Sequence, residues 1–136
     1  MRHAICYVSN ADQSLTTSEI NELLNFCEEN NNLRDIKGIL LYSEGNFFQV
    51  LEGEKEKVVD LYNRIQEDSR HYGIITVIDR DIPQGSYDDY KATIIPEGKK
   101  YYPELPAEYT EPLKGMSPDV QKVMKRMIRS FIATRV

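Results

Sequence analysis

The sequence predicts an α+β fold, β-α-β-β-α-β with an added fifth strand, two helices on one sheet face, and an amphipathic helix at the C-terminus. Three observations predict it. Short runs rich in β-formers alternate with segments whose apolar residues recur at helical spacing. Two of those runs are separated only by Ser43-Glu44-Gly45-Asn46, which fits a hairpin turn. The length, 136 residues, suffices for one core and is short for two.

His3 to Ser9 (HAICYVS) alternates loosely and makes a first strand. Thr16-Thr17-Ser18-Glu19 opens a helix, with Thr16 and Glu19 spaced as a capping box. Ile20, Leu23, Leu24 and Cys27 form its apolar face. Asn30-Asn31-Asn32 is expected to end it, because Asn tolerates the left-handed conformation that closes helices. Ile36 to Tyr42 has strand length, and Phe47 to Leu51 is its partner across the turn. Val58, Leu61, Tyr62 and Ile65 mark the buried face of a second helix. Glu54 and Glu56 stand in its first turn and Arg70-His71 at its end, where their charges complement the helix dipole. Tyr72 to Ile78 is a fourth strand. Tyr87 to Ile95 is a fifth, after the turn Pro83-Gln84-Gly85-Ser86. This is the split βαβ, ferredoxin-like order, which lays the first and third strands side by side.

Residues 1–95 therefore form the main domain, and 96–116, with four prolines, an irregular linker. Ser117-Pro118 caps a last helix over 117–136. Val120, Val123, Met124, Met127, Ile128, Phe131 and Ile132 give it an apolar stripe; Lys122, Lys125, Arg126 and Arg129 give it a basic side. It has three uses open to it: packing on the open sheet face, pairing with a second copy in a homo-oligomer, or meeting an acidic partner or membrane surface. The first two are favoured, because a sheet with helices on one face needs a cover.

Composition narrows the function classes. Hydrophobic residues at 40% and charged ones at 29% are ordinary for a globular chain. No apolar run approaches the roughly 18 residues of a membrane span. The N-terminus lacks a secretory pattern, and Cys6 and Cys27 sit in apolar contexts, so buried free thiols in the cytoplasm are expected. Net charge is −5, yet residues 114–136 carry +5, which leaves the body at −10. An acidic body argues against nucleic-acid binding through the main domain. No phosphate loop, GxSxG, HExxH or CxxC occurs, and His3 and His71 alone do not make a metal site, so neither metal nor enzyme activity is expected.

Polar residues on core-facing elements remain: Tyr7, Asn30, Asn31 and Gln49. Gln49 lies in the middle of FFQVL, where an amide without partners costs roughly 1–3 kcal/mol. A backbone group, a water or a ligand with polar edges would each satisfy it. Tyr7 comes within reach if the first and third strands are neighbours. Each residue also has an ordinary use: Tyr in strands, Asn at helix ends, Gln bonded to nearby backbone.

Four blocks in order carry a resemblance. They are YVS at Tyr7 to Ser9, NN at Asn30-Asn31, GILLYSEGNFFQVLEGE at Gly38 to Glu54, and RIQEDSRH at Arg64 to His71. Together they resemble the BLUF family, sensors of blue light using FAD, in its short stand-alone form. The resemblance implies a non-covalently held flavin between the two helices. Asn31 would hold the ring's polar edge, and Gln49 would bond the flavin while Tyr7 bonds Gln49. Asn30, Arg64 and His71 would line the pocket or the ribityl-phosphate side, with Cys27 where the family often has Ser. Blue light would move an electron and a proton from the tyrosine toward the flavin. The glutamine would then rotate or tautomerise, with a small red shift. The implied protein is a non-enzymatic cytoplasmic photoreceptor signalling to an unidentified downstream protein.

The chain departs from the family pattern at Lys37, and has Tyr90 and Ala92 where Trp and Met are usual. These bear on signal transmission more than on flavin binding. They motivate an alternative, a BLUF-fold interaction module that has lost photochemistry. A third reading, an acyl-phosphate hydrolase on the same strand order, would want an Arg and an Asn around an anion, and no spacing singles them out.

Overall fold

The computed structural model describes residues 2–83, 87 and 89–94, together with Lys122, Lys125 and Arg126. The element order is β1 (Arg2–Ala11), α1 (Thr17–Leu33), β2 (Lys37–Ser43), β3 (Asn46–Glu54), α2 (Lys55–Glu67), β4 (His71–Ile82) and β5 (Tyr90–Ile94). The strands form one five-stranded sheet in the order β4-β1-β3-β2-β5. β5 runs parallel to β2, and every other neighbouring pair is antiparallel. This is the expected ferredoxin-like arrangement with its added strand. The linker 96–116 and most of the final helix 117–136 lie outside the described residues; Lys122, Lys125 and Arg126 are helical.

Local chemistry accounts for the element boundaries. At the start of α1 the Glu19 amide donates to Thr16 Oγ1 and the Thr16 amide to Glu19 Oε1, each at 3.1 Å, completing the capping box. The asparagine run does not stop the helix. α1 continues to Leu33, and the left-handed residue is Asp35, with φ 59°. The Arg34 amide donates to the carbonyls of Asn30 and Asn31, so the asparagines lie inside the last turn. Between β2 and β3 only Glu44 and Gly45 intervene, with φ 44° and 88°. Two consecutive left-handed residues match the twist of a tight hairpin. Helix α2 ends at Glu67, earlier than Arg70-His71 suggested. Arg70 instead pairs with Asp68 just past the helix, and His71 begins β4. Glu54 is the N-cap of α2 and Glu56 lies in its first turn. β5 is shorter than expected, starting at Tyr90.

Alternation along the strands sends one set of side chains to the helices. Ile5, Tyr7, Leu40, Phe47 and Leu51 form one cluster with Ile20 and Leu24 of α1 and Val58 and Tyr62 of α2. The alternate residues Cys6, Ile39, Leu41, Phe48 and Val50 are buried on the opposite face. Both sheet edges are held by side chains. On β4, Asp81 and Asp79 bond Nδ1 and Nε2 of buried His3 at 2.7 and 2.5 Å. Lys55 lies 3.5 Å from Asp81. The hydrogen bond from His3, followed by the Lys55 charge, holds the Asp81 carboxyl below its usual range. On β5, the Tyr90 amide donates to Asn32 Oδ1 at 2.8 Å, Asn32 Nδ2 to the Tyr90 carbonyl at 3.0 Å, and the Ala92 amide to Glu28 Oε2 at 3.0 Å. Glu28 and Asn32 are one turn apart on α1, so the helix closes the outer strand's backbone.

Gly38 joins β2 to β3 at a spot where no side chain fits. Its φ is 143°, and an added Cβ would stand 1.9 Å from the Val50 carbonyl oxygen. Gly38→Ala should therefore lower stability by roughly 2–4 kcal/mol, since a backbone atom cannot step aside. Urea unfolding checks this: a midpoint unchanged from the parent would contradict the close approach.

Candidate functional site

The site is built on the β1–β3 register. Tyr7 and Gln49 are direct Cα partners, both on the helix face and both buried. Gln49 Nε2 donates to the Tyr7 hydroxyl at 2.5 Å. On its other side the Tyr90 hydroxyl donates to Gln49 Oε1. Tyr90 reaches the amide from β5, two strands away. Its partner on β2 is Gly38, which has no side chain to stand between the ring and β3. Asn31 of α1 stands beside the Tyr90 phenol. The result is a buried hydrogen-bonded chain, Tyr7–Gln49–Tyr90, inside an apolar cluster, with Asn31 beside it. Burial is the main cause that pushes both phenols well above their usual range, so both keep their protons. For Tyr7 the bond from Gln49 offsets part of that rise.

The other expected site residues are distributed around this chain. Asn31 is buried on the α1 face that carries Ile20 and Leu24, while Asn30 is half-buried and not aligned with it. His71 lies beside Tyr7, ring centroids 6.0 Å apart. Its two nitrogens are engaged, Nδ1 with Ser9 Oγ at 2.8 Å and Nε2 with the Ile65 carbonyl at 2.6 Å. It thus ties the end of α2 to β1. Tyr62 stacks obliquely on Tyr7 at 5.5 Å and bonds Thr76 through its hydroxyl. Cys27 is half-buried on α1; burial pushes its thiol up to about 11, against the opposing pull of the Arg70 charge. Arg64 is not in the buried chain. It is exposed on α2, paired with Asp60 one turn earlier.

Arg64 does line a cleft of about 190 Å³ with Arg34, Ile36, Lys57, Asp60 and Leu61. The cleft brings the end of α1 against α2. Ile36 also belongs to the cluster that holds Tyr7 and Tyr90, and Leu61 packs against it. Sequence reasoning missed Arg34 and Lys57, whose only signal was a position near a helix end. It also missed Asn32 as the anchor of β5, and Tyr90 as a partner of Gln49.

The donor set fits a flavin. An amide carries two N–H groups and two lone pairs. The two phenols use one of each on Gln49, so among the described residues one N–H and one lone pair remain for a ligand edge. Arg34, Lys57 and Arg64 supply cations suited to phosphate. Among the described residues no cluster of His, Cys, Asp and Glu is arranged to hold a metal ion, and no helix is long and apolar enough to cross a membrane.

The chain is similar to known proteins in sequence and in fold. The family described as BLUF, sensors of blue-light using FAD, matches residues 3–93. The chain is 28% identical over 132 residues to photoactivated adenylate cyclase subunit beta of Euglena longa, covering 93% of this chain and 13% of that protein. It thus spans a small part of the curated relative it matches. Among solved structures, BlrP1 of Klebsiella pneumoniae with FMN and cyclic diGMP superposes with TM-score 0.76 at 25% identity, covering 98% of this chain and 35% of the other. BlsA in its ground state superposes with TM-score 0.67 at 25% identity, covering 99% and 90%.

The raised Cys27 thiol gives a pH test of this surrounding. Its thiolate fraction, and so its alkylation rate, should climb about tenfold per pH unit from 7 to 10, where an ordinary thiol near 8.5 would already level off. Measuring the rate in a Cys6→Ser background checks it; a plateau by pH 9 would show an unperturbed thiol.

Proposed function

The chain belongs to the BLUF family of sensors of blue light using FAD, and on that premise we propose that its switch is the Tyr7–Gln49 pair. The observation that carries the proposal is the direct bond between the two side chains, with unused donor and acceptor capacity left on the amide. A bound flavin supplies blue-light absorption and a ring able to accept an electron and a proton. Tyr7 contributes an oxidisable phenol that burial keeps protonated until it is needed. Gln49 contributes a donor and an acceptor on one pivot, so turning it rewires its bonds without moving the backbone.

Asn31 then faces the ring's polar edge, a role supported by its burial on the same α1 face as Ile20 and Leu24. Arg64, joined by Arg34 and Lys57, serves the phosphate end. Cys27 and Asn30 flank the pocket from α1. His71 supports Tyr7 by its ring and by tying β1 to α2. FAD is the cofactor we assign from the family. The three cations suit the phosphate common to FAD and FMN, the flavin in the Klebsiella structure. We read the protein as a sensory module and not an enzyme, acting in the cytoplasm on a protein partner. Residues 117–136 are assigned as its sheet cover or dimer contact, because a sheet with helices on one face needs a cover.

Flavin-loaded protein should be yellow, and blue light should give a reversible red shift of its absorption. Gln49→Leu and Tyr7→Phe should each abolish the shift while flavin stays bound. A colourless protein that takes up no added FAD ends the flavin reading. Flavin bound with no light response would leave the interaction module in its place. Arg34→Ala and Lys57→Ala should each weaken flavin affinity about tenfold, the size of one charge-assisted contact. Fluorescence titration checks this, and unchanged affinity in both would move the phosphate elsewhere.

A further inference from the structure

We infer that Tyr90 is a second arm of the switch, a buried phenol that satisfies the Gln49 amide in either of its two orientations. The inference rests on the reading of Gln49 as the pivot, and it goes further by naming what holds the pivot's other end. Tyr90 has no exposed surface, and its hydroxyl donates to Gln49 Oε1 while Gln49 Nε2 donates to Tyr7. Its place is set from two directions. Asn32 of α1 bonds both its amide and its carbonyl. β2 pairs with its strand on the inner side, so the backbone that carries the ring is fixed on both sides.

The two ends of a primary amide have nearly the same shape and opposite hydrogen-bonding character. Half a turn about the last side-chain bond of Gln49 exchanges them. Oε1 then faces Tyr7 and Nε2 faces Tyr90. A phenol both donates and accepts, so Tyr7 changes from acceptor to donor and Tyr90 from donor to acceptor. No heavy atom outside the amide has to move. Both phenols carry their protons, which burial secures. Each orientation therefore has a bonded partner at each end, the condition for two states of similar free energy. An indole at position 90 would only donate and would serve one orientation, the one in which Oε1 faces it. A phenyl ring would serve neither. Residue 90 is thus a positioning residue that sets the balance between resting and switched amide, and so the lifetime of the switched state.

The test uses the full flavin-loaded chain as wild type, Tyr90→Trp and Tyr90→Phe. Dark recovery of the light-induced red shift is followed, and light-minus-dark infrared spectra are recorded in the amide carbonyl region with labelled glutamine. In Tyr90→Trp the switched amide points an N–H at an indole N–H, so recovery should be at least tenfold faster. In Tyr90→Phe the resting carbonyl of Gln49 loses a donor, so its band should move to higher frequency. Recovery in Tyr90→Trp within twofold of wild type, or slower, overturns the inference. A Gln49 carbonyl band unmoved in Tyr90→Phe does so as well, and decides alone if the Trp variant fails to hold flavin. A wild type that binds flavin but shows no shift removes the pivot reading itself, and this inference with it. A shifting wild type with overturning variants removes only the part given to Tyr90.

Discussion

Gln49 is an amide in a strand where every residue from Phe47 to Gly53 is buried. In such surroundings each of its polar ends needs a partner from the protein or a ligand. Tyr7 comes from the neighbouring strand, where the register places it directly opposite. Tyr90 comes from β5, which must join the sheet beyond β2 and hold its place there. The rest of the molecule follows from that requirement. Glu28 and Asn32 of α1 bond the outer backbone of β5, and glycine at position 38 leaves the way clear between Tyr90 and β3. The polar pair and the strand that completes it are one construction.

A buried network of neutral, hydrogen-bonded groups combines rigidity with choice. Phenols kept protonated by burial and an amide with interchangeable ends hold their positions firmly, while the bonds between them admit more than one pattern. The surrounding side chains restrict movement to that pattern. His71 bridges β1 and the end of α2, Tyr62 covers the Tyr7 ring, and His3 with its two aspartates fastens β4 to β1. Under the proposed switch, a light-driven change would alter hydrogen bonds first and backbone afterwards. Ala92 lies beside this site: its amide is bonded to Glu28 and its side chain packs against the core. A rearrangement at Tyr90 has α1 as its direct neighbour.

How much of the site was legible depended on the distance over which each partner acts. Tyr7 and Gln49 were readable as a pair because strands alternate with period two and the element order puts β1 beside β3. Asn31 was singled out only as part of a helix end and by resemblance to a family; the structure adds that it is buried on the face of Ile20 and Leu24. The asparagine run misled as a helix stop, since residues that favour helix ends also serve inside a last turn when their side chains have tertiary work. Asn32 does, through its two bonds to Tyr90. Arg70-His71 misled because a basic pair near a helix end fits the dipole, whereas His71 is drawn into β4 by Ser9 and the Ile65 carbonyl. Tyr90 was visible only as a departure from a family pattern. Nothing local to residues 90–94 says that its hydroxyl meets Gln49, 41 positions away in sequence.

By itself the sequence determined the element types, their order, the hairpin and the apolar faces. These rest on local backbone preference and on the repeat of side chains along one helix or strand. It also determined, by motif, the family and the Tyr–Gln pair. Only the tertiary structure decided that Gln49 stands between two phenols, that α1 closes β5 with Glu28 and Asn32, and that Arg34 and Lys57 join Arg64 at one cleft. Those facts depend on contacts between segments far apart in the chain, and a hydrogen bond is specific to a few tenths of an ångström. Strand order limits which residues can meet, but the packing of α1 against the sheet fixes which of them do.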